Sequence, residues 1–428
     1  MSTSRVGALA AELQSTGSGS DRSAAVFFVP GRIEVLGKHT DYAGGRSLVA
    51  TTVQGFCMVA CPRDDALIRI FDTGRGQVVD FAFDDDAMGK VEDWTLYPRV
   101  VARRFAQDWG RDLVGADIAF ESDLPASSGL SSSSALVVGT FLALARCNHL
   151  DGDPRWQQTL LTREGLASYL GAVENGRSFG SFQGADGVGT RGGDQDHTAI
   201  LCSSPGEIRQ YRFLPTVCER TLDAPAGLVF ALAISGVRAK KTGAAMGDYN
   251  RISELAARLE QIWEAGKGRS PATLGAIVRE APKGADWLEA GFEGAAVDPE
   301  EQHDLKRRLK QFRRETMEIT PNAGDALAAG DLAGFGHWVG LSMELATELL
   351  GNQVEETIWL AAAARERGAV AASAFGAGFG GAVWALVSRD GVDGFLESWS
   401  SAYGDRFPEH RTAARFLWTT AAGPAAEV

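Results

Sequence analysis

Apolar and polar positions divide this 428-residue chain into short stretches of period two and longer ones of period 3.6. Segments 25–29 and 48–61, rich in Val, Phe and small apolar residues, predict strands. Segments 67–71 and 77–83 predict a hairpin with its turn at 73–75, and 113–121 alternates as a further strand. Residues 132–147 are apolar almost all round, which predicts a buried helix, and 157–174 predicts a second one. Further on, 227–234 predicts a strand, and 242–263 and 300–317 are helical by period and by charge pairing. Segments 327–346 and 354–368 predict helices, 370–374 and 382–387 strands around a glycine loop, and 411–419 a last strand. Residues 266–298, rich in Gly, Ala and Pro, are the expected irregular insertion. Near the N-terminus, 6–13 predicts a short helix followed by a flexible Ser/Gly link.

The length exceeds one ordinary core, so two domains are expected, 1–210 and 211–428. A hydrophobic content of 45% and a charged content of 23% describe a soluble globular protein. The net charge of -13 argues against nucleic acid or an anionic membrane as the main partner. It permits a phosphorylated ligand, for which backbone amides and a few cations suffice. No run of 18 apolar residues and no basic start with an apolar core occur, so neither a membrane span nor a signal peptide is expected. The cysteines Cys57, Cys61, Cys147, Cys202 and Cys218 form no zinc pattern and fit core positions in a reducing cytoplasm.

Two stretches imitate nucleotide motifs and fail. In PGRIEVLGKHTDYAGG (30–45), GKHT resembles the end of a P-loop. However, five residues separate Gly31 from Gly37, and His39 stands where a hydroxyl should hold magnesium. GAGFGG (376–381) satisfies the dinucleotide expression, but AVWALVS after it reads as a strand where a helix is required. Glycines between strands rather allow close backbone approach to a loop or ligand. The phosphate candidate is LPASSGLSSSSAL (124–136), between a strand and the apolar helix. Free amides and the positive dipole end of that helix, with Gly129, Leu130, Ser131, Ser132, Ser133 and Ser134, make a cradle for a triphosphate.

These stretches together resemble one family. PGRIEVLGKHTDYAGG resembles the signature of galactokinases, GLSSSSA the phosphate loop of the wider GHMP kinases, and GAGFGG their third motif, in the family's order. The resemblance implies a two-domain α/β and α+β fold: an N-terminal domain like ribosomal protein S5 domain 2, a C-terminal ferredoxin-like domain, and the site between them. It implies an ATP-dependent sugar kinase acting on the anomeric C1 hydroxyl of galactose or a related sugar, with Mg2+, as a cytoplasmic monomer. Arg32 would stand at the reacting phosphate, Lys38, His39 and Asp41 at sugar hydroxyls, and Tyr249 against the sugar. Trp94 and Tyr97 would lie on the nucleotide side, and Ser133 and Glu174 would hold the metal. The carboxylate facing the acceptor hydroxyl belongs to GTRGGDQDHTAI (189–200). Asp194 matches the family's Asp-Gln pair; Asp196 is preferred because 198–201 then continues as a strand.

Two departures matter. Lys38 stands where galactokinases carry a glutamate, and Glu34 where they usually have asparagine. Lysine only donates and is cationic, which opens an acidic sugar such as galacturonate as an alternative substrate. Lys38 paired with Glu34 would instead leave galactose binding intact. A catalytically inactive sugar sensor is a further alternative, against which stand the retained serines, Arg32 and the aspartates. A kinase for mevalonate or homoserine would lack the HTDY segment.

Overall fold

The computed structural model describes residues 3–15, 24–85, 93–110, 112–125, 129–237, 244–266, 270–281, 286–295 and 297–428. The Ser/Gly link after the first helix lies outside the described residues.

Two sheets organise the chain. The larger has eight strands: β1 (Ala25–Leu36), β2 (Arg46–Pro62), β3 (Leu67–Asp72), β4 (Gln77–Ala82), β5 (Ala116–Ser122), β6 (Glu207–Arg212), β7 (Val217–Asp223) and β12 (Ala426–Glu427). Its main order is β12-β1-β2-β5-β3-β4, and the long β2 also pairs with β6, which carries β7. The smaller sheet is antiparallel, in the order β11-β8-β10-β9, from β8 (Leu228–Ile234), β9 (Ala371–Ala374), β10 (Ala382–Ser388) and β11 (Arg415–Thr419). The division expected at 210/211 falls inside β6; the smaller sheet begins at Leu228, and β12 at the end of the chain returns to the larger one.

Helix Ser132–Cys147 packs on β1, β2 and β5 of the large sheet, helices Leu96–Trp109 and Arg163–Glu174 pack on that helix, and all share a core that includes Val29, Ile33, Ile118, Phe105, Phe141 and Leu170. The N-terminal helix Thr3–Ser15 sets Leu9 and Leu13 against Cys57, Val59, Cys61 and Phe71. The cysteines form no disulfide among the described residues, and four of them are buried, as expected of core thiols.

Several elements differ from the reading by period. The helix expected at 157–174 is broken into Pro154–Thr159 and Arg163–Glu174, because Thr162 caps the second piece by accepting from the Gly165 amide. The helix expected at 327–346 is likewise two, Thr320–Ala328 and Leu332–Leu345, the latter capped by Asp331. The supposed irregular insertion contains helices Leu274–Glu280 and Asp286–Ala295. With Ala244–Glu264 and Pro299–Arg314 they enclose a separate core around Trp263, Trp287, Phe292 and Phe312, where Ala43 also packs. Residues 198–201 are not a strand; they belong to helix Gln195–Cys202. Among the described residues no helix is long and apolar enough to cross a membrane.

Candidate active site

The 30–36 part of the motif is strand rather than loop. β1 runs through it with register shifts against β2 between Pro30 and Arg32 and between Glu34 and Leu36. Irregularities of this kind re-aim side chains. Ile33 and Val35 go into the core, while Arg32 and Glu34, two residues apart, line a cleft. Gly31 is required here: a β-carbon on it would stand 2.6 Å from the Leu124 side chain and 3.0 Å from the Leu130 carbonyl. That close approach lets the Arg32 amide donate to the Leu130 carbonyl at 3.1 Å, which fixes the strand to the serine loop.

The serine loop feeds helix Ser132–Cys147 from Ser131, held at φ 57°. Opposite it stands Asp196, in the first turn of helix Gln195–Cys202, where the dipole favours a carboxylate. Asp196 accepts from Arg32 Nε at 2.6 Å and from the Ser131 hydroxyl, with Ser134 Oγ 3.4 Å away. Arg32 also donates to the Gly129 carbonyl and lies over the Phe375 ring. Burial opposes its charge, yet Asp196 and Glu34 hold its pKa above the ordinary value.

The two aspartates of the 189–200 segment therefore separate. Asp194 is buried away from the cleft and accepts from the Thr216 hydroxyl at 2.6 Å and from Ser168. Asp196 faces the cleft. The preference for Asp196 rested on a strand that is in fact a helix; what distinguishes it is its contact with Arg32 and the serine loop.

Residues 37–45 form the turn on the other side of the cleft. His39, at φ 56°, sets its Nδ1 3.1 Å from the Tyr42 hydroxyl, and its ring lies 5.2 Å from that of Tyr249. Asp41 accepts from the Gln195 amide at 3.1 Å. Burial, reinforced by the nearby Asp194, raises its pKa to about 6. Gly193 makes room for it, since a β-carbon there would stand 2.2 Å from Asp41 Oδ2. His39, Asp41 and Tyr249 thus line one cleft with Arg32, Glu34, Glu174 and Asp196.

Lys38 does not line it. Its side chain is fully buried, and the cleft wall holds Glu34 instead. Lys38, expected at the sugar, is placed instead with its side chain inward, where its charge acts on Glu34. The expected metal pair is also redrawn. Glu174 is buried rather than a surface charge, and it accepts from Ser134 Oγ at 2.9 Å, with His197 Nε2 3.0 Å away. Ser133 faces Tyr97, because one residue along a helix turns a side chain by about 100°.

The motif reading missed Asn175, Thr190 and His197 in the cleft wall, and no sequence signal marks them. Gly376 and Ala377 of GAGFGG also line it. The close backbone approach read from that glycine loop is present, since a β-carbon on Gly376 would stand 2.4 Å from Glu34 Oε1.

Residues 17–62 match the galactokinase galactose-binding signature, 97–187 the GHMP kinases N terminal domain and 324–405 the GHMP kinases C terminal domain. The protein of Exiguobacterium sibiricum named galactokinase is 30% identical over 389 residues, covering 88% of each chain. That of Halalkalibacterium halodurans is 29% identical over 386 residues, covering 88% of this chain and 87% of the other. The crystal structure of Lactococcus lactis galactokinase complexed with galactose has the same fold, with a TM-score of 0.76 at 20% identity across 100% of both chains. The chain belongs to the galactokinase family within the GHMP kinases, and it has their two-domain fold.

Proposed function

We propose that this protein transfers the γ-phosphoryl group of ATP to the anomeric C1 hydroxyl of galactose or a closely related hexose. The observation that carries the proposal is the Arg32–Asp196 pair, 2.6 Å apart, set against the Ser131 hydroxyl at the start of helix Ser132–Cys147. Phosphoryl transfer needs positioning and charge neutralisation more than covalent help. The first amides of that helix and the hydroxyls of Ser131 and Ser132 hold the donor's phosphates. His39, Asp41 and Tyr249 hold the sugar, and Asp196 receives the proton of the attacking hydroxyl as its bond to phosphorus forms. Arg32 stabilises charge on the transferring group.

Magnesium fits the donors present. Ser134 Oγ, Glu174 Oε2 and Asp196 Oδ2 gather one hydroxyl and two carboxylates, the hard oxygens this ion prefers. Ser134 and Glu174, with Ser134 in place of Ser133, would hold it, and the ion would supply neutralisation of phosphate charge. Lys38 outside the cleft wall and four carboxylates, Glu34, Asp41, Glu174 and Asp196, within it favour a neutral sugar over the acidic-sugar alternative. ADP release with ATP and a panel of free sugars tests the proposal. Turnover with galactose or another neutral hexose is the expected result. Binding of sugar without any ADP release would establish the sensor reading instead.

A further inference from the structure

We infer that Glu34 is a specificity-determining residue of the sugar cleft: its carboxylate accepts a hydrogen bond from a sugar hydroxyl and turns away hexuronates, with Lys38 as its fixed countercharge. This rests on the proposed sugar-kinase reading.

Four observations meet at this side chain. Glu34 follows Arg32 by two residues on β1, so both face the cleft. It is only 3% exposed, and its Oε1 has no hydrogen-bond partner among the described residues. An acceptor buried without a donor is unfavourable, and a bound hydroxyl would relieve it. Next, Lys38 is 0% exposed, and its Nζ likewise has no hydrogen-bond partner among the described residues. Its charge is the leading one that favours the ionised form of Glu34, ahead of Arg32. Two buried charges of opposite sign four residues apart offset each other's desolvation. Finally, the Gly376 backbone closes the Glu34 carboxylate on one side, so close that a β-carbon would meet both oxygens at 2.4 and 2.6 Å. The carboxylate is thereby held on the cleft wall with one oxygen unsatisfied. A neutral hexose presents hydroxyl donors to it. A hexuronate would bring a second carboxylate to a wall already carrying four, and like charges there are strongly disfavoured.

The test compares galactose and galacturonate as substrates for the full-length wild type, Glu34→Gln and Lys38→Met, with ADP release followed at varied sugar concentration. The wild type is expected to favour galactose over galacturonate by at least about a hundredfold in kcat/KM. Glu34→Gln should raise the galactose KM about tenfold or more, with a smaller change in kcat, and narrow the discrimination. Lys38→Met should raise the same KM. Calorimetric binding of an ATP analogue checks that each variant keeps its nucleotide side. If a variant fails to fold, the wild-type preference still decides: equal use of galacturonate overturns the inference. So does an unchanged KM and sugar preference in a folded Glu34→Gln. Absence of activity on every sugar in the wild type would overturn the kinase reading itself, a separate outcome.

Discussion

Acidifying the protein from pH 8 to pH 4.5 should weaken sugar phosphorylation as two buried cleft carboxylates, Glu34 and Asp41, take up protons. Glu34 has its pKa raised from 4.5 to about 6 by burial, with Lys38 and Arg32 acting against the shift and Asp196 and Glu315 adding to it. Asp41 has its pKa raised from 3.8 to about 6 by burial and by Asp194 and Asp196, against the amides of Gln195 and Tyr42. Each accepts more strongly from a sugar hydroxyl when it is ionised. Below about pH 6 the logarithm of kcat/KM should therefore fall with a slope approaching two, and Glu34→Gln should reduce that slope by one. Stability moves the other way. A carboxylate whose pKa is higher in the folded than in the unfolded chain contributes stability at low pH and loses it as pH rises through the folded value. The shift at Glu34 corresponds to about 2 kcal/mol, and that at Asp41 to about 3 kcal/mol. Between about pH 4 and pH 7 the stability of Glu34→Gln relative to wild type should rise by about 2 kcal/mol, measured by denaturant titration at each pH. An identical acid limb in wild type and Glu34→Gln, or a relative stability that does not change with pH, would refute the reasoning.

Other substitutions separate neighbours. Asp196→Asn should lower kcat by about 10²–10⁴ with sugar binding kept. Asp194→Asn should instead lower Tm, because it breaks the bonds from Ser168 and Thr216; kcat and Tm measured on both variants check the assignment. Ser134→Ala should raise the magnesium concentration needed for half-maximal ADP release, and Ser133→Ala should leave it near the wild-type value, read from metal titrations. Arg308→Met should raise the galactose KM and cost about 2–4 kcal/mol of stability, because the buried guanidinium donates to the His39 carbonyl and the Tyr42 hydroxyl; kinetics and denaturant titration measure the two effects.

The site was legible wherever a backbone conformation dictates residue type. The positive-φ turns at Gly37, Gly44 and Gly129 are glycines, and the helix-start serines announce an anion cradle. Arg32, His39, Asp41 and Glu174 were expected from the resemblance to galactokinases, and all four line the cleft. Burial of charge was not legible. A lysine inside the sequence of a turn gives no sign that it points inward, so Lys38 was expected at the sugar and Glu34 was read only as its possible partner. The segment QDHTAILC carries Thr and Ile, which suit a strand, and eight residues are too few for period to decide. Packing decided it: Ala199, Ile200 and Leu201 are all buried in the main core. The β6–β7 hairpin escaped because it alternates weakly and draws its place in the sheet from pairing with distant β2.

How the sugar turn holds its shape follows from a helix some 270 residues later in the chain. Arg308, Gln311 and Glu315 are spaced by three and four, which places them on one helical face. Arg308 donates to the His39 carbonyl at 2.5 Å, and Gln311 donates to the Lys38 carbonyl at 3.2 Å. Glu315 accepts from the Gly37 amide at 2.9 Å and is kept in place by Ser342 at 2.8 Å. Three successive residues of the turn thus have main-chain groups satisfied by side chains rather than by a strand partner. That explains how His39 is kept at a left-handed backbone angle that is unfavourable for it. The consequence is a division of labour. The phosphate cradle, Arg32 and Asp196 are positioned by the large sheet and its helices, whereas the sugar-facing turn takes its shape from the later helix. In-line transfer depends on the two being set within a fraction of an ångström, so substitutions at Arg308 or Glu315, which lie outside the cleft wall, should impair transfer by loosening the turn.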